Sequence, residues 1–128
     1  MSDRLRAEDE LERLLPGHPP EVRELARDAA AAILDATPGL LVRAAPGWHS
    51  LNVRHPQAGH VCAIFPFDDR VDIAFEEGHR LSDPWGALEE GTSSSRRVRY
   101  VRLRPGDRVD PAMLSALVEE SIVLRLSR

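Results

Sequence analysis

Glu21, Glu24, Asp28 and Asp35 stand three, four and seven residues apart in a segment whose apolar residues repeat with a helical period. At about 100° per residue the four carboxylates share one narrow wedge opposite the apolar stripe. Carboxylates so spaced, with no bases between them, repel one another, and such a ridge collects Fe²⁺ or another oxygen-preferring cation weakly. The same pattern is also that of a solvated helix face that keeps a chain soluble, and Arg23 and Arg27 flank the wedge closely enough to neutralise part of it.

Two further groups have donors for chemistry. His49, His55, His60 and His79 lie within one stretch, with Cys62 two residues after His60 and so on the same face of a strand. Imidazole and thiolate on one face suit zinc or ferrous iron. The spacings match no strong metal motif, and Cys62 lies in an apolar run that equally reads as the site of a buried, inert thiol. Between residues 96 and 104, Arg96, Arg97, Arg99, Arg102 and Arg104 surround Tyr100. Arginine forks bind carboxylates and phosphates, so Arg97, Arg99 and Arg102 are candidate anchors for an anion or small molecule, with Trp48 and Tyr100 as walls and Gly91 and the hydroxyls of 92–95 completing the pocket. The competing reading is an edge strand protected by charge.

Nothing resembles a catalytic constellation. The chain has no Gly-x-Ser-x-Gly elbow, no Gly-rich phosphate loop and no His-Glu-x-x-His, and Asp83-Pro84 and Glu90-Gly91 read as turn residues. All 17 bases are arginine, which removes lysine chemistry, and a net charge of −4 argues against a general grip on nucleic acid. A charged N-terminus without an apolar centre is no secretory signal, and no apolar run reaches bilayer length, so the expectation is a cytoplasmic protein with no membrane partner.

The elements that must position these residues follow from length and periodicity. A chain of 128 residues with 42% hydrophobic and 30% charged residues suits one core. Residues 1–19 read as a lead with a short helix over 7–15, and residues 20–126 as the single domain. Pro20 opens a helix to about residue 36, whose stripe is Val22, Leu25, Ala26, Ala29 and Ile33; Asp110 caps a second helix beginning at Pro111, whose stripe is Leu114, Leu117, Val118, Ser121 and Ile122. Between them, 48–54, 60–66, 70–76 and 96–104 read as strands, the first three an antiparallel meander, while 77–95 reads as a long irregular loop of the kind that often carries function. The expected fold is α+β, an antiparallel sheet of about four to five strands with the two helices side by side on one face, burying Leu25, Ala29, Ile33, Leu114, Leu117 and Ile122 against Val71, Ile73 and Phe75.

The segment 75–103 reads F-x-x-G-x-x-L-x-D-P-x-G-x-L-x-E-G and then R-Y-V-R-L, carried by Phe75, Gly78, Leu81, Asp83, Pro84, Gly86, Leu88, Glu90, Gly91, Arg99, Tyr100, Val101, Arg102 and Leu103. In this it resembles the YdhG-like family, small bacterial proteins of unknown function grouped with frataxin-like folds, over roughly residues 20–124. The resemblance implies a frataxin-like sandwich. For one branch it implies an iron chaperone that would hold Fe²⁺ weakly on the acidic helix and pass it to an iron-accepting protein. Two departures stand out: Ala45-Pro46-Gly47-Trp48-His49 replaces the family's Trp-Gly-Met-Pro, and Ser93-Ser94-Ser95 replaces its Gly-Lys, so the family lysine has no counterpart here.

Overall fold

Proline at the first helical position and a Thr37-Pro38-Gly39 stop frame the long helix, and a computed structural model of the chain, which describes residues 3–91 and 95–127, places it at Pro20–Ala36. It is α2, preceded by α1, Asp3–Glu12. The C-terminal helix, α3, runs Pro111–Leu126, with the Asp110 carboxylate accepting the Met113 N–H at 3.2 Å as its cap. Both expected stripes are buried throughout, and the two helices pack side by side on one face of the sheet. The alanines at 26, 29, 30 and 32 are buried, so the packed face of α2 is built largely from small side chains.

The sheet has six strands rather than four to five: β1 Leu41–Ala45, β2 Ser50–His55, β3 Gly59–Pro66, β4 Val71–Phe75, β5 Leu88–Glu90 and β6 Arg99–Leu103. They lie in the order β1-β2-β3-β4-β6-β5, and every neighbouring pair is antiparallel. The sequence expectation missed both edges. β1, Leu-Val-Arg-Ala-Ala, has no clear alternation, and β5 has only three residues inside a stretch of turn formers. Pairing outside β6, β5 makes the arginine-rich strand an interior one, which overturns the reading of it as an edge. Residues 48 and 49 belong to the β1–β2 turn, so that strand begins at Ser50.

Register explains how the two faces differ. Ala44, Leu51, Ile64, Ile73, Val101 and Leu88 form one row across all six strands on the helix side. The adjacent row on the other side is Arg43, Asn52, Ala63, Ala74, Tyr100 and Glu89. The first row is the core. The second has small residues at its centre and polar or aromatic ones on its flanks. α1 and the turn that follows it close one end of the core: Leu11, Leu14 and Leu15 are buried in it, and the Glu10 carboxylate accepts the Ala44 N–H at 3.1 Å.

Leu117, 1% exposed, packs at the centre of the helix–sheet interface. Leu117→Ala removes that packing and leaves a cavity, so denaturant unfolding should show a loss of about 2–5 kcal/mol. A loss within error of zero would place α3 outside the core.

Candidate functional site

The four carboxylates of α2 are all exposed and line one groove of about 650 Å³, whose other wall is the 105–111 segment with Asp107 and Arg108. Helix period sets their common side, and Leu25, Ala31 and Ala32 form the apolar floor between them. The four are not equivalent. Asp35 is ion-paired with Arg4 of α1, whereas among the described residues no side-chain hydrogen bond or ion pair engages Glu21, Glu24 or Asp28. Arg27, expected to offset the ridge, is held instead by Glu12 through two hydrogen bonds of 2.9 and 2.7 Å. That pairing holds the Glu12 carboxyl below its usual range. Among the described residues no three His, Cys, Asp or Glu side chains converge tightly enough to enclose a metal ion. The ridge is a charged surface, not a cage.

The arginine residues are placed differently from the candidate anion pocket. Arg97 reaches the Glu77 carboxylate at 3.2 Å, Arg99 pairs with Glu90 at 3.6 Å, and Arg102 lies 3.5 Å from both Asp72 and Glu89. Each guanidinium already has a protein carboxylate, which weakens the case for an external anion. Thr92, Ser93 and Ser94 lie outside the described residues. Trp48 and Tyr100 line a common cleft. Its volume is about 350 Å³, and it lies on the helix-free face of the sheet, floored by Ala63 and Ala74 and flanked by Phe65, His60 and Glu76. Trp48 is 81% exposed at its rim.

His60 and Cys62 were expected on one strand face and are not. The β2–β3 ladder pairs Arg54 with His60 and Val53 with Cys62, so Val61 is an extra residue and the strand bulges there. The bulge turns His60 towards the open cleft while Cys62 stays in the core. Burial pushes the Cys62 thiol up to about 12, which leaves it neutral and inert. The other histidines are dispersed: His55 Nδ1 accepts the Gln57 and Ala58 N–H groups in its own turn, His79 Nδ1 meets the Arg97 carbonyl at 3.2 Å, and His49 faces His18, which the sequence reading did not single out.

The motif of residues 75–103 resolves into architecture. Phe75 is fully buried and Leu81 lies in the core. Asp83, at φ 45°, turns the chain and its carboxylate accepts the Ala87 and Leu88 N–H groups, both at 2.9 Å. Gly78 lies directly against the Arg99 side chain and Gly91 against the Tyr100 ring, each so close that a Cβ would overlap its neighbour. Every one of these positions shapes the crossing from β4 to β5 and β6.

No protein-family model matches the chain, and no curated protein matches it. Among solved structures, the crystal structure of YdhG, a DUF1801 family protein from Bacillus subtilis, superposes with a TM-score of 0.68 at 18% sequence identity over 92% of each chain. The likeness is one of fold.

His60 gives this surface a pH signature. Burial, the largest influence, depresses its pKa below the ordinary 6.5 despite the Glu76 carboxylate 3.3 Å away. A histidine depressed in the folded state is neutral there while the unfolded chain takes up a proton, so its contribution to stability is complete above pH 6.5 and is lost progressively as pH falls from there through the lower folded-state value. Unfolding curves of wild type and His60→Gln should diverge only on that acidic side, with the variant losing less stability. Parallel curves would contradict the burial assigned to His60.

Proposed function

We propose that the protein is a non-enzymatic binding protein that collects ferrous iron weakly on the outer face of α2, in the manner of a frataxin-like iron chaperone handing the ion to an iron-accepting protein. The observation that carries this reading is the groove in which Glu21, Glu24, Asp28 and Asp35 stand exposed on one side and Asp107 on the other. Exposed carboxylates keep much of their hydration and impose no fixed coordination, so ions bind loosely, at several positions, and less as salt rises. A cargo ion held this way leaves easily. No histidine or cysteine is required.

A second reading, a small-ligand site, is favoured by the cleft that Trp48, Tyr100 and Phe65 line. With Glu76 beside it and the β6 arginines engaged elsewhere, that cleft suits a flat apolar molecule better than an anion.

Replacing Glu21 and Glu24 by Gln together with Asp28 and Asp35 by Asn keeps size and removes charge from an exposed face, so the fold should persist. In an anaerobic calorimetric titration with Fe²⁺ the wild type should give weak, multi-site, salt-sensitive heat that the quadruple variant lacks. Equal heats from both proteins, or none from either, would remove the iron reading and leave the aromatic cleft.

A further inference from the structure

Three turns that are far apart in sequence bring two imidazoles and a carboxylate into line. His18, between α1 and α2, places Nδ1 2.9 Å from the Asp68 carboxylate of the β3–β4 turn and Nε2 2.7 Å from Nε2 of His49 in the β1–β2 turn. The rings lie 5.0 Å apart between centroids and are tilted by 41°. Each turn is closed by its own backbone: the His18 N–H donates to the Leu15 carbonyl, that of His49 to Pro46, and that of Phe67 to Arg70. His18 is also followed directly by Pro19 and Pro20, and its side chain is only 11% exposed.

The backbone of His49 adds a second observation. At φ 51° it occupies the left-handed region, which glycine favours and which asparagine, aspartate and histidine enter more readily than other side chains. From this turn its Nε2 faces Nε2 of His18.

With both rings neutral, the hydrogen bonds assign the protons as follows. Asp68 accepts the Nδ1 proton of His18, which leaves the His18 Nε2 lone pair to accept the Nε2 proton of His49. A carboxylate on one nitrogen and a directed lone pair on the other is how a metal-ligating histidine is oriented. If the His49 proton moves to its own Nδ1, through solvent, both Nε2 lone pairs point into the same gap. Two nitrogens bound tetrahedrally to one ion at about 2.0–2.1 Å lie about 3.3 Å apart, whereas the 2.7 Å contact and 5.0 Å centroid separation set these rings nearly end to end, so the exposed His49 ring must swing its Nε2 aside by about 2 Å to share an ion with His18.

We propose that His18 and His49 form a two-imidazole site for a borderline divalent transition ion of the Zn²⁺, Ni²⁺ and Cu²⁺ class, with Asp68 as the outer carboxylate that sets the tautomer of His18. Asp68 lies on the far side of the His18 ring from the gap, so the protein supplies two ligands and water fills the rest. The affinity is therefore moderate and the ion exchangeable. Hard ions such as Mg²⁺ prefer oxygen and do not compete. The site is chemically separate from the α2 carboxylates.

Calorimetry of the full chain with Zn²⁺ alone near neutral pH, paired with NMR of the imidazole nitrogens, tests this. The expected result is one ion per chain with the Nε2 signals of both His18 and His49 shifted, binding weakened at least about tenfold in His18→Gln and in His49→Asn, and about tenfold in Asp68→Asn. The quadruple α2 variant should keep this ion, and excess Mg²⁺ should leave it in place. His49→Asn suits the left-handed backbone at an exposed turn, so it remains informative if His18→Gln fails to fold. Absence of Zn²⁺ binding, wild-type affinity in His49→Asn, unchanged binding in Asp68→Asn, or loss of the ion in the quadruple variant would each overturn the assignment.

Discussion

The carboxylate of Glu77 is 1% exposed at the point where the chain leaves β4, and three arginines from three different parts of the fold converge on it. Arg97, on the approach to β6, lies 3.2 Å away; Arg125, from the last turn of α3, 3.5 Å; and Arg80, from the 3₁₀ turn Gly78–Arg80, 3.6 Å. An ionised carboxylate taken out of water without such partners would cost several kcal/mol. The pairing therefore constrains the route: the chain can bury Glu77 only if the turn, the approach to β6 and the end of α3 all meet there. Ser82, one turn further on, adds a second tie to α3 by donating its N–H and hydroxyl to the Glu120 carboxylate.

That constraint accounts for the sheet order. From Glu77 the chain passes beyond the place β6 will take, turns at Asp83, runs as β5 along the edge and comes back as β6 between β5 and β4. Gly78 and Gly91 let β6 close against the crossing segment. The stretch that looked like a functional loop is thus largely the scaffold of one sheet edge, and the arginines that looked like anchors for an outside anion are its internal counter-charges. The surfaces left for function are those the scaffold does not use: the outer side of α2, the helix-free face of the sheet and the turns beside α2's start.

The two long helices were legible because a single periodic stretch carries all the needed information, whereas the short helix expected over 7–15 runs Asp3–Glu12, with Leu14 and Leu15 in the turn after it. Pro20, Asp110 and the two stripes specify α2 and α3 locally, and the acidic ridge came with them, since one helix suffices to place its four members on one side. Strand edges were less legible. β1 and β5 exist through pairing with β2 and β6 rather than through a pattern of their own. The bulge at Val61 reversed the sense of His60 against Cys62, and one extra residue does so without leaving any mark in the alternation of a strand that is apolar on both faces. His18 and Asp68 could not be found from spacing at all, because the contacts of His18 with His49 and Asp68 span 31 and 50 residues and depend on how three turns are brought together. The motif of 75–103 was legible as a pattern, but only the close approaches of Gly78 to Arg99 and Gly91 to Tyr100 give its glycines a physical reason.

If Glu77 organises this half of the molecule, removing its charge alone should loosen it. Glu77→Gln keeps the shape of the side chain and leaves three arginines facing an uncharged amide. Denaturant unfolding should show a loss of about 3 kcal/mol or more, and hydrogen exchange should show faster opening of residues 78–91 and β6 than of β2 and β3. A variant with wild-type stability and unchanged exchange along β6 would contradict the claim that the fold is arranged around this buried carboxylate.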